Sequence, residues 1–475
     1  MNNYKKSMGL LLSVMAVSGF AFKANAASWR MIPSLTVTET YTDNVDLDSS
    51  ASQSDLVTRV SPQIAITGTG SRLNVIFDYA PNYFFYPGDD DDKHDLRHTL
   101  NASLNSELIS ERFFVDASAN IAQRFLDRRA AISSVQASRT DNRRTVQSYR
   151  FSPYLVHAFG TWATAQLRYD LSHVRQAQNV RQTTLNTSFG NSLSHQGSFS
   201  VASGSRFNRL GWTLLAQYRT EDRSRAADFE TTTLNADLSY QLTDILSVLG
   251  SIGYQKRKAG SGSFANFDGF TWDAGFRLVP GPRTSLSVRY GNQFKGDSLS
   301  VDAQYKITAR DSINLSYTDT IQTFQSLAFN DNSAVNLDPS LNSGFISGDL
   351  TRRKRGTFSV SGVRGRTSYS ASAFYNENRS DNRALDEERY GGAFSISRRL
   401  SPRLTVSSGF SYNLSRFSSD NTDDKFWSAS VSTNYQISQS LIGSLSFVHS
   451  DRDQSRFSAL NGGSNFISLS IRAEI

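Results

Sequence analysis

The side chains that most often carry enzyme chemistry are few and scattered in this sequence. It has no cysteine and six histidines, of which only His94 and His98 come near a metal-ligand spacing. On a β-strand these two would share a face about 13 Å apart, too far for one metal ion. His449, Ser450 and Asp451 are consecutive, so on a strand they would point to alternate faces and could not act together. The sequence therefore predicts no enzyme, no cofactor and no metal site.

Four consecutive aspartates, residues 89–92, form an acidic run. Clustered carboxylates can bind Ca²⁺, or a hard cation that bridges to lipopolysaccharide phosphates. The run lacks the spacing of an EF-hand loop, and we interpret it as a solvated part of an external connection.

Two basic clusters have a clearer chemistry. Their members are Arg128, Arg129, Arg143, Arg144, Arg352, Arg353, Lys354 and Arg355. Rings of such cations can favour anions in a pore, because guanidinium forks match carboxylates and phosphates. At the outer rim of a membrane protein, the same residues would instead bind lipopolysaccharide headgroups or be solvated. Both interpretations are open at this stage.

Strands must position these candidates, because apolar and polar residues alternate from about residue 34 to the end. Leu299, Val301 and Ala303 alternate with Ser300 and Asp302, and similar segments of roughly 10 to 14 residues recur along the chain. Each strand would then have one apolar and one polar face. The pattern fits an antiparallel sheet with one wet face, or a barrel that is apolar outside and polar within.

The number of segments decides between these architectures. We count about 22 strands, with a range of about 20 to 24. An open sheet of that size without helices would have unprotected edges, which closure into a barrel removes. Short turns and long connections tend to alternate, as the periplasmic turns and extracellular loops of outer-membrane barrels do. The sequence therefore predicts an all-β fold, a transmembrane antiparallel up-and-down β-barrel over residues 27–475.

Charged residues of both signs are predicted on the inward face of this barrel. They are Arg168, Asp237, Arg289, Asp302 and Lys306. The lumen is therefore expected to be wet.

The first strand is expected near Pro33, which leaves no room for the plug domain that fills the lumen of transporters with about 22 strands. We expect no plug domain. The barrel would then be a wide pore, be flattened, or be partly closed by an infolded connection. Residues 323–350 are the best candidate for such a connection, with a mobile external loop as the alternative.

The last segment alternates up to the carboxyl terminus. Its apolar residues are Ile467, Leu469, Ile471, Ala473 and Ile475. A terminal strand of this kind closes a barrel and resembles the signal read by the barrel-assembly machinery, although it ends in Ile rather than the more usual Phe.

Residues 1–26 have the pattern of an export signal, with Lys5 and Lys6 before an apolar stretch and a small-residue cleavage site at Ala24–Ala26. Cleavage there would remove Lys5, Lys6 and Lys23 and no acid, so the net charge would fall from +7 to +4. The sequence pI near 9.4 therefore does not indicate a nucleic-acid partner. We expect the outer membrane of a Gram-negative bacterium as the location.

The amino-terminal residues resemble the opening of the PEP-CTERM (exosortase) system-associated outer-membrane β-barrel family. The resemblance is carried by Trp29, Pro33, Thr40–Val45, Leu56–Pro62, Gly68–Gly70, Phe77–Tyr79 and Gly211–Thr213. It spans essentially the whole chain and implies an association with exopolysaccharide synthesis and export. No functional residues are transferred by it.

The expected function is a non-enzymatic pore or assembly factor in exopolysaccharide export. Expected partners are outer-membrane lipid and lipopolysaccharide, the barrel-assembly machinery, the polysaccharide and periplasmic export proteins. Two alternatives are a general diffusion porin and a structural or adhesive barrel whose loops bind glycan.

Overall fold

The protein is one closed antiparallel sheet of 22 strands in a computed structural model. Each strand pairs with its neighbours in the chain, and β1 also pairs with β22 from Ser34 opposite Glu474 to Thr42 opposite Phe466. The predicted closed barrel of about 22 strands is therefore confirmed. The structure describes residues 27–88, 93–125, 129–140, 142–176, 190–224, 226–260, 266–293, 296–323, 325–326, 350–380, 386–418, 422–455 and 458–475.

The strands are β1 (Ser28–Thr42), β2 (Asp55–Thr69), β3 (Leu73–Phe85), β4 (His94–Ile109), β5 (Phe113–Phe125), β6 (Arg143–Phe159), β7 (Ala163–Gln176), β8 (Ser192–Ser203), β9 (Leu210–Arg223), β10 (Phe229–Gln241), β11 (Leu246–Lys258), β12 (Phe267–Gly281), β13 (Thr284–Gln293), β14 (Gly296–Lys306), β15 (Asp311–Gln322), β16 (Thr351–Arg364), β17 (Thr367–Ser380), β18 (Glu387–Arg399), β19 (Leu404–Phe417), β20 (Thr422–Gln436), β21 (Leu441–Gln454) and β22 (Gly462–Glu474). β1 begins earlier than the predicted start near Pro33. The predicted signal at 1–26 and the acidic run at 89–92 lie outside the described residues.

The two faces of each strand differ as the alternation predicts. On β22, Leu469 and Ile471 are exposed on the outer face. On β1, Thr38 and Thr40 face the lumen and are buried. Because successive side chains point to opposite faces, this alternation makes the outside of the barrel apolar and its lumen polar.

The two ends of the barrel also differ. At one end, short turns join even-numbered strands to the next strand, and both described chain ends lie there. Gly365 in the two-residue turn between β16 and β17 has φ +59°, a conformation that disfavours residues with a Cβ. At the other end lie the longer connections, among them those after β1, β5, β7 and β15. We call these the short-turn end and the long-connection end.

Aromatic side chains lie on the outer face near both ends. Toward the long-connection end, Tyr79 stacks on His98, and Tyr83 stacks on His94. At the short-turn end, Phe207 packs edge-on against Trp162 and Trp212. Aromatic belts of this kind flank the apolar band of barrels that cross a lipid bilayer. No helix within the described ranges is long and apolar enough to span a membrane.

Candidate functional site: the barrel lumen

Arg168 of β7 lies at the centre of a charged network on the lumen face. Its Nη2 is 3.1 Å from Asp116 Oδ2 of β5, and its Nε is 3.2 Å from Asp170 Oδ1. Ser152 Oγ of β6 also donates to Asp170. The guanidinium lies over the ring of Tyr154, 4.8 Å from its centroid. The Arg168 guanidinium is thus shared by two carboxylates, and Arg150 of β6 also interacts electrostatically with Asp170.

A second network joins three more strands. Arg289 Nη1 of β13 lies 2.9 Å from Asp273 Oδ1 of β12 and 3.4 Å from Asp237 Oδ1 of β10. Asp302 and Lys306 of β14 lie on the same face and are exposed to the lumen. The structure therefore places all five predicted lumen residues on the polar face, and it brings Asp237 and Arg289 together.

The connection between β5 and β6 folds into the lumen, which the sequence analysis missed. Among its described residues, 129–140, Gln136 accepts hydrogen bonds at its main-chain oxygen from Arg97 of β4 and Arg143 of β6. Five strands away from β4 around the closed sheet, Arg452 Nη1 of β21 donates to the Ala130 carbonyl at 2.6 Å. The connection thus crosses the lumen side of several strands. We call residues 129–140 the infolded connection.

Apolar packing holds the infolded connection against the wall. Ala137 belongs to a buried cluster with Val45, Val57, Phe84 and Tyr86. Val57 and Phe84 are in phase with the polar lumen residues of β2 and β3, and such apolar residues on the wet face are the signal that could have revealed the contact.

A charged pair and a phenol add to this packing. Arg139 forms two hydrogen bonds with Asp46, at 2.7 and 2.8 Å. Tyr86, just after β3, accepts a hydrogen bond from Arg97. Burial raises the pKa of the Tyr86 phenol, so it stays a neutral partner for that arginine at physiological pH.

A second segment reaches across the lumen after β15. Thr323 Oγ1 donates to Glu221 Oε2 of β9 at 3.0 Å, and Gln325 Nε2 donates to the Ser172 Oγ of β7 at 2.9 Å. Strands β7 and β9 are not neighbours of β15 in the sheet, so the described start of the predicted candidate 323–350 folds inward. Leu350 at its end is buried. Residues 324 and 327–349 lie outside the described residues.

The predicted basic clusters divide among several environments. Arg128 lies outside the described residues. Arg129 is buried with its guanidinium over the Phe417 ring, and Arg143 binds carbonyls of the infolded connection. Arg144 is half-buried and donates to the Arg143 carbonyl. The first cluster is therefore not one exposed rim patch, because the infolded connection separates its members.

The second cluster lies on β16 and divides between the two faces. Arg352 forms two hydrogen bonds with Asp319, at 2.6 and 3.0 Å, and Lys354 Nζ lies 3.1 Å from Glu377 Oε2. These residues are in phase with the exposed Phe358 and lie on the outer face. Arg353 and Arg355 alternate with them and face the lumen.

The last strand closes the barrel as predicted. In β22, Ile467, Leu469, Ile471 and Ala473 share the outer face, and the Ile475 amide donates to the Pro33 carbonyl at 2.9 Å. Its recognition by the barrel-assembly machinery stays a prediction.

The isolated histidines have structural partners on the outer face. His449 packs against Trp427 and hydrogen-bonds Asn465, whereas Ser450 points the other way and bonds Ser464. Within the part of the chain that the structure describes, no three metal-ligating side chains cluster.

Several solved receptor structures share this fold. The ferric-catecholate import receptor Fiu from E. coli K12 in its closed form is 10% identical, with a TM-score of 0.54 over 93% of this chain and 81% of that chain. The FrpB iron transporter from Neisseria meningitidis (F5-1 variant) is 11% identical, with a TM-score of 0.53 over 94% and 82%. The siderophore receptor PiuA from Acinetobacter baumannii is 9% identical, with a TM-score of 0.50 over 93% and 81%. At such identities the likeness shows the fold alone.

No protein-family model and no curated protein matches this chain. The resemblance to the PEP-CTERM-associated family therefore stays a prediction, as do the lipopolysaccharide, assembly-machinery and periplasmic partners. The similar structures are receptors and transporters and not enzymes, in agreement with the non-enzymatic prediction.

The expected role in exopolysaccharide export is wrong. The structures that share this barrel include a ferric-catecholate import receptor and an iron transporter, and no comparison supports an exopolysaccharide pore. The infolded connection gives a physical reason, since it occupies lumen that a polymer would have to fill. Alternation and strand number cannot reveal such a contact, because they specify the wall and not what lies inside it.

Proposed function

We propose that the protein is a Gram-negative outer-membrane transport barrel that imports a small polar solute through a lumen closed at its extracellular mouth by infolded segments. The strands have 10 to 17 residues, and about 9 to 11 suffice to cross a bilayer. The apolar outer face between two aromatic belts supports this placement. By the usual topology of such barrels, the long-connection end is extracellular.

One observation carries the proposal: the infolded connection is bound to the wall at β4 and again at β21, five strands away around the closed sheet. Arg97 and Arg452 hold it through main-chain carbonyls, and Ala137 is packed into an apolar cluster. Main-chain carbonyls held by buried arginines form charge-assisted hydrogen bonds. In this proposal the infolded connection and the segment after β15 together close the mouth, and passage requires their contacts to open.

The solute is small and polar in this proposal. The wall below the mouth carries the Arg168 and Arg289 networks, which favour water and polar groups over apolar ones. Local displacement of a connection opens a limited path, which suits a small molecule. Fiu is a ferric-catecholate import receptor and FrpB an iron transporter, and a small polar cargo agrees with both. In receptors of this girth a plug domain fills the lumen, and here we assign the closing role to the infolded segments.

Conductance in planar bilayers tests the proposal. We expect the purified full chain to show little steady conductance, and a variant with residues 130–139 replaced by a Gly-Ser linker of equal length to conduct several-fold more. A matched replacement of the turn at residues 206–209, at the other end, serves as the control and should leave conductance unchanged. A large steady conductance of the wild type that the 130–139 replacement does not alter would refute the closed mouth.

A further inference from the structure

The basic run on β16 places arginines inside the barrel as well as outside. Arg353 and Arg355 are in phase with Thr357 and Ser359 on the lumen face, whereas Arg352 and Lys354 have carboxylate partners on the outer face. The four cations therefore form two pairs, with Arg353 and Arg355 inside the barrel and Arg352 and Lys354 outside it. The inner pair belongs to the half of the lumen near the long-connection end.

The inner pair continues into a lateral row of polar residues. Arg355 is opposite Asn376 of β17, and Asn376 is opposite Arg389 of β18. Arg353 lies on the same face of β16 as Arg355, two residues nearer the mouth. Neighbouring strands lie about 4.8 Å apart, so Arg355 and Arg389 start roughly 10 Å apart and can reach one small ligand between them. Asn376 and Arg389 are only 3% and 1% exposed.

Among the residues that the structure describes in this row, positive charges outnumber negative ones. The wall supplies Arg353, Arg355 and Arg389, and the carboxylate beside them is Glu387, whose Oε1 is 3.5 Å from Arg389 Nε. Glu387 is opposite Phe417, over whose ring Arg129 of the infolded connection lies. A fourth arginine therefore borders the group.

Two buried polar atoms in the row have no hydrogen-bond partner among the described residues. They are Nε of Arg355 and Oδ1 of Asn376. Buried polar groups are normally paired, so such atoms indicate an absent partner. Arg389 is held in place by Asn413 Oδ1 at 3.3 Å and by the Phe374 ring, which lowers the entropy that a ligand would have to overcome.

We propose that Arg353, Arg355 and Arg389, with Asn376, form a binding site for a small anion with several carboxylate or phosphate oxygens. Guanidinium groups bind such oxygens in a bidentate manner, and a hydroxyl of the ligand fits the orphan oxygen of Asn376. This inference rests on the proposed function, since it names the solute class that the closed lumen would admit.

Isothermal titration of the detergent-solubilised full chain with citrate and with triphosphate tests the site. We expect binding of at least one probe, weakened roughly tenfold or more in R353Q/R355Q, because each charge-assisted hydrogen bond contributes about a factor of ten. The matched control is R352Q/K354Q, which removes the same charge from the same strand on the outer face and should change the Kd less than twofold.

A third variant changes the affinity in the opposite direction. E387Q keeps the size of the side chain and removes the negative charge, so we expect it to bind the probes several-fold more tightly. Each variant is first checked for a folded barrel by its heat-modifiable migration in gels. No binding of either probe by the wild type, or equal weakening by the two double variants, would overturn the site. Titration measures binding and needs no transport. A wild type that conducts freely would therefore refute the closed mouth without affecting the evidence for the anion site.

Discussion

Arg452 of β21 donates a hydrogen bond to the main-chain carbonyl of Ala130, in the connection between β5 and β6. Its guanidinium also binds Asp424 of β20 through two hydrogen bonds, at 2.6 and 3.0 Å, and both side chains are almost fully buried. A wall ion pair therefore holds a segment that starts on a distant part of the barrel. Single substitutions at this ion pair can therefore test how the infolded connection is held.

Replacing Arg452 by Ala should release the infolded connection and destabilise the barrel. The change leaves Asp424 buried without its cation, which costs about 3 to 5 kcal/mol for a fully buried pair. Urea unfolding in micelles measures the loss, and trypsin should cut at Arg129 or Arg139 in the variant and spare both in the wild type.

The matched control for this change is Arg416→Ala. Arg416 pairs with Asp423, next to Asp424 in sequence but on the outer face, where both side chains are about half exposed. Exposed pairs contribute at most about 1 kcal/mol, so this variant should stay resistant to trypsin. Equal sensitivity of the two variants would contradict the holding role of Arg452.

Cross-linking the infolded connection to the wall should keep the mouth shut. The chain has no cysteine, so Val57→Cys with Ala137→Cys introduces one defined pair within one buried cluster. Oxidation with copper phenanthroline should join the two thiols as a disulfide, and uptake of any imported solute should fall while the folded fraction stays unchanged. The single Val57→Cys variant treated with the same reagent is the control, and unimpaired uptake by the cross-linked protein would argue against gating by this segment.

The sequence was sufficient to predict the wall of the barrel because each wall position follows a local rule, the alternation of apolar and polar residues. Alternation fixed the faces of Arg168 and Arg289, and the spacing of segments placed β4 and β8 at their observed starts, His94 and Ser192. Contacts inside the lumen have no such period. The link from Arg452 to Ala130 joins residues far apart in sequence, and nothing local to either residue specifies the other.

In the basic clusters too, sequence alone does not specify the environment of each residue. Their composition fits both anion binding and lipopolysaccharide contact, and from sequence alone each cluster resembles one patch. On β16 the strand pleat separates Arg352 and Lys354 from Arg353 and Arg355, so the two interpretations apply to different faces. Strand register decides which partners each cation has on its face, and register depends on pairing with Asp319 and Asn376 across the sheet.

Removing the charge of Arg289 should destabilise the barrel modestly. Arg289→Gln leaves Asp237 of β10 and Asp273 of β12 on either side of β11 without their shared cation. Since Arg289 is about one-third exposed, we expect a loss of about 1 kcal/mol in the free energy of unfolding. Adding Asp273→Asn should recover part of it, and a double-mutant cycle by urea unfolding measures the coupling. Strictly additive effects would show that the two residues do not interact.

Placing an arginine at two adjacent positions of β22 tests which face of the barrel meets lipid. Leu469 is exposed on the apolar outer face, and Ser470 is directed into the lumen opposite Ser444 and Thr38. An arginine on the lipid face near the bilayer midplane costs about 2 to 4 kcal/mol, whereas lumen positions tolerate charge. Leu469→Arg should therefore reduce the heat-modifiable, membrane-inserted fraction strongly, and Ser470→Arg should insert normally. Because both variants carry the same added charge in the terminal strand, general effects on synthesis or export cancel in the comparison. If both inserted equally well, or if Ser470→Arg were the defective one, the assignment of the apolar face to the lipid would be wrong.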